Sequence, residues 1–138
     1  MPERPDAVEQ ALRALRYRDR STAELDTRLE QHGIDAEERE QALETLERLG
    51  YVDDERLACM RAEQLAARGS GDALIRHDLE RRGIRSEHVE AALSGLESEH
   101  ERAAAIVQRR GEGVKTARYL ASRGFGGDAL ESVVARED

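Results

Sequence analysis

Aromatic residues are scarce: one Phe, three Tyr and no Trp among 138 residues. So few rings cannot fill a large globular core, and the apolar content, mostly Leu, Ala and Val, suits thin helical layers. The only prolines are Pro2 and Pro5, so the rest of the chain runs without a Pro break. That argues against a β-sandwich or barrel with its many turns. Cys59 is the only cysteine, which excludes an intramolecular disulfide and a Cys-based zinc site. No apolar run approaches the roughly 20 residues of a membrane span. The opening Met1-Pro2-Glu3-Arg4-Pro5-Asp6 carries no apolar signal stretch. The expectation is a cytoplasmic chain with no membrane partner.

Positive charge is also in short supply: 22 bases against 30 acids, a net charge of −8. Phosphate backbones reward Lys and Arg, so the sum argues against a dedicated nucleic-acid binder. The distribution is uneven. Residues 1–50 hold 13 acids and 8 bases, whereas residues 99–125 hold 3 acids and 6 bases. The one positive stretch lies late in the chain.

What the chain does have is a repeat written in glycines. Gly33, Gly83 and Gly124 each follow a Leu four positions earlier (Leu29, Leu79, Leu120) and precede a bulky apolar residue (Ile34, Ile84, Phe125). Eighteen residues before each glycine stand Leu15, Leu65 and Ile106, and three earlier Leu12, Ala62 and Ala103; ten after it stand Leu43, Leu93 and Val134. Apolar columns at fixed offsets in so polar a chain indicate tandem units. Val8, Leu12 and Leu15 mark the apolar face of a first helix, Ala7 to Arg18. Ser21 with Glu24 forms a capping box for a second. Gly33 fits the left-handed position after that helix. Asp35 with Glu38 caps a third, carrying Ala42, Leu43, Leu46 and Leu49, ended by Gly50.

The scheme recurs over Leu57 to Ala67, Ala73 to Arg82 and Glu87 to Leu96. It recurs again over His100 to Arg110, Val114 to Arg123 and Asp128 to Ala135. The predicted fold is all-α: three tandem three-helix repeats in an elongated, curved and flexible array. The segments are a disordered 1–6 and repeats over 7–52, 53–98 and 99–138. Units this small bury too little surface to stand comfortably alone, so neighbours must stack.

The string Gly50-Tyr51-Val52-Asp53-Asp54-Glu55-Arg56-Leu57 resembles a hallmark of the RecX family. So do the opening Arg20-Ser21-Thr22-Ala23-Glu24-Leu25 with Leu29 and Gly33, and the closing Tyr119-Leu120-Ala121-Ser122-Arg123-Gly124-Phe125. The resemblance covers about residues 7–135. It implies a small all-helical regulator, without catalytic site or cofactor, that binds the RecA filament on single-stranded DNA. Such a regulator inhibits strand exchange, ATP hydrolysis and co-protease activity, and touches DNA weakly. Leu57 stands where members often carry Phe, Thr116 where many carry a bulky residue, and many members are more basic. The acidity shifts the expectation from DNA binding toward docking on protein.

The candidate contact residues follow the charge. Arg109, Arg110, Lys115, Arg118 and Arg123 form the basic stretch of the third unit, able to meet phosphate or an acidic protein surface. Arg76, Arg81 and Arg82 form a second cluster beside Arg85. Cations near helix C-termini are favourable without any partner, which is the plainer explanation of both. Arg13, Arg16 and Arg20 share a helix face and are expected to pair with Glu9 or Glu24. Asp53, Asp54 and Glu55 suggest a metal or acid–base site, but helix capping explains acids there better. Gly33, Gly50, Gly83, Gly124 and Phe125 are expected to be structural, with Tyr51 plugging the joint between the first two units. Cys59 is expected as a buried small hydrophobe. His32, His77, His88 and His100 show no zinc-ligand spacing. No nucleophile–base or metal constellation is legible, so an enzyme is the least expected class. The expectation is a monomeric RecA-binding regulator; a RecA-independent helical adaptor and a weak direct DNA-binding module are the alternatives.

Overall fold

The computed structural model describes residues 6–134. Among them are nine helices and no strand: α1 (Ala7–Leu15), α2 (Thr22–Gln31), α3 (Ala36–Arg48), α4 (Asp54–Ala67), α5 (Asp72–Arg81), α6 (Ser86–Ser94), α7 (Glu99–Arg110), α8 (Val114–Ser122) and α9 (Gly127–Val134). They follow one another as three triplets. Asp6 is the N-cap of α1, accepting from the Glu9 N–H at 2.8 Å, so order begins inside the terminus expected to be disordered. Residues 1–5 and 135–138, the latter including the expected helix end at Ala135, and the side chains of Ser132 and Val134 lie outside what is described.

The caps explain the boundaries. Ser21 accepts from the Glu24 N–H at 3.0 Å and Glu24 accepts from the Ser21 N–H at 2.9 Å, a reciprocal box. Asp35 accepts from Glu38 N–H at 2.9 Å, and Asp53 from Arg56 N–H at 3.0 Å. At the other end of α2, Gly33 has φ of 80°. There Ile34 N–H reaches back to the Leu29 carbonyl at 3.1 Å and Gly33 N–H to the Glu30 carbonyl at 2.9 Å, satisfying carbonyls that the helix leaves open. Gly124, with φ of 87°, closes α8 the same way through Phe125 and Leu120.

The chain divides into two compact units. The first runs to Leu57 and includes the loop Arg82–Ile84; the second comprises Ala58–Arg81 and the chain from Arg85 on. The core of the first is Leu25, Leu29, Ile34, Leu46 and Val52 against Ala7, Ala11 and Ala14. In the second, Ala103, Ile106, Val107, Leu120, Phe125, Ala129 and Val133 cluster, and Ile75, Leu79 and Val89 are also buried.

Four expectations need correction. The fully buried face of α1 is Ala7, Ala11 and Ala14; Val8, Leu12 and Leu15 are only partly buried beside it. Small side chains let α1 approach its neighbours closely, and the larger residues cover the rim. Leu49 is 60% exposed, because it caps α3 beyond the last buried turn. Tyr51 does not plug a joint: it is 55% exposed while Val52 beside it is buried. Its backbone N–H closes the α3 turn on the Leu46 carbonyl at 2.9 Å. Cys59 is exposed, and its neighbours Ala58 and Ala62 take the buried face of α4.

One joining device appears once in each unit. In the first, Thr22 N–H at the start of α2 donates to Asp54 Oδ1 at 2.8 Å, and the Ser21 hydroxyl donates to the Arg82 carbonyl at 2.5 Å. In the second, Asp72 N–H at the start of α5 donates to Glu99 Oε2 at 2.7 Å, and Gly71 N–H donates to the Arg123 carbonyl at 2.7 Å. Each time the open N–H groups of a second helix are satisfied by an acid and a turn from the next triplet. Asp54 is thereby engaged in the fold, and among the described residues no group of three or more His, Cys, Asp or Glu is arranged to hold a metal.

Candidate partner-binding site

The arginines sort by whether the chain supplies them an acid. Arg39 pairs with Asp26 at 2.9 Å, Arg61 with Asp78 at 3.1 Å, Arg76 with Glu90 at 2.8 Å, Arg82 with Glu24 at 3.6 Å and Arg85 with Glu87 at 2.5 Å. Arg102 is nine-tenths buried, bonds Asp72 and donates to the carbonyls of Glu97 and Ser70. The hydrogen bond from Arg76 holds the Glu90 carboxyl below its ordinary range, and the same bond raises Arg76. The bond to Asp78 likewise raises Arg61. Of the expected second cluster, Arg76 and Arg82 each have an acid partner within the chain, and Arg81 is exposed.

A different group meets no acid among the described residues. Arg109 and Arg110 end α7, exposed, just before Gly111 turns the chain away at φ of 91°. The Arg110 guanidinium lies over the Tyr119 ring at 3.6 Å, close enough for cation–π attraction, which ties the end of α7 to α8. Arg109, Arg110, Tyr119 and Ile106 line a cleft of about 220 Å³ with Arg68, Ala67 and Gly69 from the end of α4. No acid lines it. A wider cleft of about 390 Å³ shares Ala67, Gly69, Ile106 and Arg109, and adds the acids Glu63 and Glu97 beside Leu96, Ala105 and Phe125. Lys115 and Arg118 are exposed on α8 but line neither cleft.

Arg123 has another task. Its guanidinium donates to the Arg68 carbonyl at 3.1 Å and approaches the Ser70 hydroxyl at 3.4 Å, and its buried Nε has no hydrogen-bond partner. It clamps the α4–α5 turn that carries Arg68. Sequence reasoning missed Arg68 itself. The signal was present: Arg18, Arg68 and Arg109 stand at the same position of the three repeats, at the intervals set by the glycines. The geometry thus offers three guanidiniums and a ring at the mouth of a partly apolar groove, an arrangement that grips carboxylates or phosphates.

Among the described residues the chain is a succession of helical triplets with exposed cations at the end of α7. Two family descriptions specify which such chain. "RecX, first three-helix domain" matches residues 7–49 and "RecX, second three-helix domain" matches residues 53–93. The chain belongs to the RecX family. It is similar to the regulatory protein RecX of Syntrophotalea carbinolica, 41% identical over 105 residues, 75% of this chain and 68% of that one. It is 33% identical to the RecX of Xanthomonas campestris pv. campestris over 89% of this chain and 82% of the relative. The RecX of Deinococcus radiodurans is also 33% identical, over 94% of this chain and 71% of its own. In fold it resembles the crystal structure of RecX from Lactobacillus salivarius, with a TM-score of 0.80 at 20% identity over 94% of this chain and 93% of that one. Among the described residues no helix is long and apolar enough to cross a membrane.

Proposed function

We propose that this RecX-family chain regulates the RecA recombinase by docking on its filament on single-stranded DNA and inhibiting recombination, ATP hydrolysis and co-protease activity. It acts as a cytoplasmic monomer without chemistry of its own. The observation that carries the reading is the cleft of Arg68, Arg109, Arg110 and Tyr119, whose guanidiniums meet no acid among the described residues. The net charge of −8 disfavours long-range attraction to naked DNA, so the cleft is assigned to an acidic RecA surface, with any DNA contact weak and secondary. Lys115 and Arg118 enlarge the positive field beside it, and Arg81 offers a further contact. Docking on successive protomers would add avidity beyond any one contact.

The test is co-sedimentation with RecA filaments, read together with RecA's DNA-dependent ATPase. Wild type should pellet with filaments and suppress the ATPase substoichiometrically. Arg109→Glu/Arg110→Glu should weaken suppression by about tenfold or more. Full inhibition by that variant would remove the site assignment; an unchanged ATPase at saturating wild type would remove the function.

A further inference from the structure

A second set of unpaired cations lies in the first unit, where the sequence predicted pairs. Arg13 and Arg16 of α1 and Arg28 and His32 of α2 line a pocket of about 360 Å³ together with Gln10 and Tyr17. Among the described residues no acid lines the pocket and no ion pair forms at Arg13, Arg16 or Arg28. Of the acids expected to neutralise the α1 face, Glu24 closes the α2 capping box and meets Arg82. Tyr17 is 81% exposed, a large ring held in water beside guanidiniums. The crowding of positive charge extends outward. Arg20 is pushed below its ordinary range by burial and by the neighbouring guanidiniums of Arg18 and Arg28, with Glu24 opposing.

Helix-end electrostatics is the rival explanation, since α1 and α2 both end here. The repeat tests it. Positions equivalent to Arg13 are Glu63 and Ala104; to Arg16, Ala66 and Val107; to Arg28, Asp78 and Tyr119. The fold builds the same helix ends twice more without these cations. In the second triplet the position of Arg28 is an acid that pairs with Arg61. The first triplet has therefore replaced an internal ion pair with an unpaired arginine, at a cost in local electrostatics that the scaffold does not require.

We infer that Arg13, Arg16, Arg28 and Tyr17 form a second docking site, which takes an acidic segment of a protein partner through its carboxylates. This rests on the reading of the chain as a protein-docking regulator. The occupant is a protein segment and not a nucleic-acid strand for a reason of charge. Residues 1–50 carry 13 acids against 8 bases, so a strand with a charge at every nucleotide would leave this short pocket onto acidic surface. A peptide can place carboxylates over the arginines and neutral residues elsewhere. Arginine forks match carboxylates bidentately, and Arg with Tyr is the pairing that dominates protein-docking energetics.

The experiment uses the full chain and a short labelled peptide of alternating Glu and Ala, followed by anisotropy and by amide chemical shifts. An oligothymidylate of equal charge is the competitor. The expected result is saturable peptide binding with shifts at residues 10–17 and 28–32. The shifts at residues 10–17 and 28–32 should saturate with about tenfold lower affinity in Arg13→Gln/Arg28→Gln. Circular dichroism melts verify that the Gln variant is folded, and Arg28→Lys provides a second, milder test, with partial loss expected. Absent shifts, shifts confined to α7 and α8, or the oligothymidylate winning at the same residues would each overturn the proposal. Filament co-sedimentation by the Gln variant separates the two readings: failure of the peptide with intact co-sedimentation removes this site alone, whereas loss of co-sedimentation by wild type removes the regulator reading.

Discussion

The close crossing of Gly71 and Gly124 gives the sharpest test of the second unit. A Cβ on residue 124 would lie 2.7 Å from the Leu74 backbone nitrogen and 2.8 Å from its Cβ, and φ at that glycine is 87°. An L-residue at left-handed φ costs roughly 1–2 kcal/mol. Relieving the clash must move backbone, because neither Leu74 atom is the end of a flexible side chain. That movement weakens the bonds from Gly71 N–H to the Arg123 carbonyl and from Ala73 N–H to the Gly124 carbonyl, at 2.7 and 3.1 Å, each worth about 1 kcal/mol. Lower unfolded-state entropy returns about 0.4–1 kcal/mol. Gly124→Ala should therefore cost about 2–3 kcal/mol. Gly50→Ala is the control: its φ is 82°, but nothing lies within 4 Å of the added carbon, so only about 1 kcal/mol is expected. Urea titrations followed by far-UV circular dichroism measure both. Native-state hydrogen exchange should show the amides of Gly71 and Ala73 losing protection in Gly124→Ala only. Equal costs in the two variants would refute the backbone approach. Since the same turn carries Arg123 onto the Arg68 carbonyl, Gly124→Ala should also weaken ATPase suppression, and Gly50→Ala should not.

Arg102→Met should destabilise by about 3 kcal/mol, because it strands Asp72 and the Ser70 carbonyl that the guanidinium now serves; a chemical-denaturation midpoint near wild type would contradict this. Ser21→Ala removes an N-cap and the bond to the Arg82 carbonyl and should cost about 1–2 kcal/mol, seen in the same titration. In Arg76→Gln the Glu90 carboxyl should rise toward its ordinary 4.5 when followed by NMR titration. Because that carboxyl is depressed in the folded state, the pair's stabilisation is present above the unfolded-state value and fades as pH falls through the folded one; the variant should lose this acid-range slope.

The columns that revealed the triplets are positions where chemistry leaves little choice. Gly33 and Gly124 need left-handed backbone, Ser21 and Asp35 satisfy open N–H groups, and Leu25, Leu29, Leu79 and Leu120 fill cores at helical spacing. Such signals are local, so the sequence carried them without help. Periodicity cannot decide which of two adjacent apolar stripes packs inward, and on α1 it favoured Val8, Leu12 and Leu15 over Ala7, Ala11 and Ala14. Larger residues read as core, yet close helix approach selects the small ones. Tyr51 and Cys59 went wrong for a related reason: each neighbours the buried residue, Val52 or Ala58, and one residue of helix or turn moves a side chain from inside to water.

Charge was the least legible property, since an arginine's role depends on whether an acid reaches it from elsewhere in the chain. Arg76, Arg82 and Arg123, expected as contacts, also have partners within the chain; Arg13 and Arg16, expected to pair with Glu9 or Glu24, meet no acid among the described residues, nor do Arg28 and Arg68. Position within the repeat narrows the ambiguity. The Arg18, Arg68 and Arg109 column marks where the scaffold repeatedly carries a cation, whereas Arg28 stands where another triplet has Asp78. A repeat protein thus supplies its own reference for each position: where one triplet alone departs, as Arg28 does from Asp78, the shared fold does not require the change, whereas a column such as Arg68 and Arg109 has to be judged by the cleft it lines.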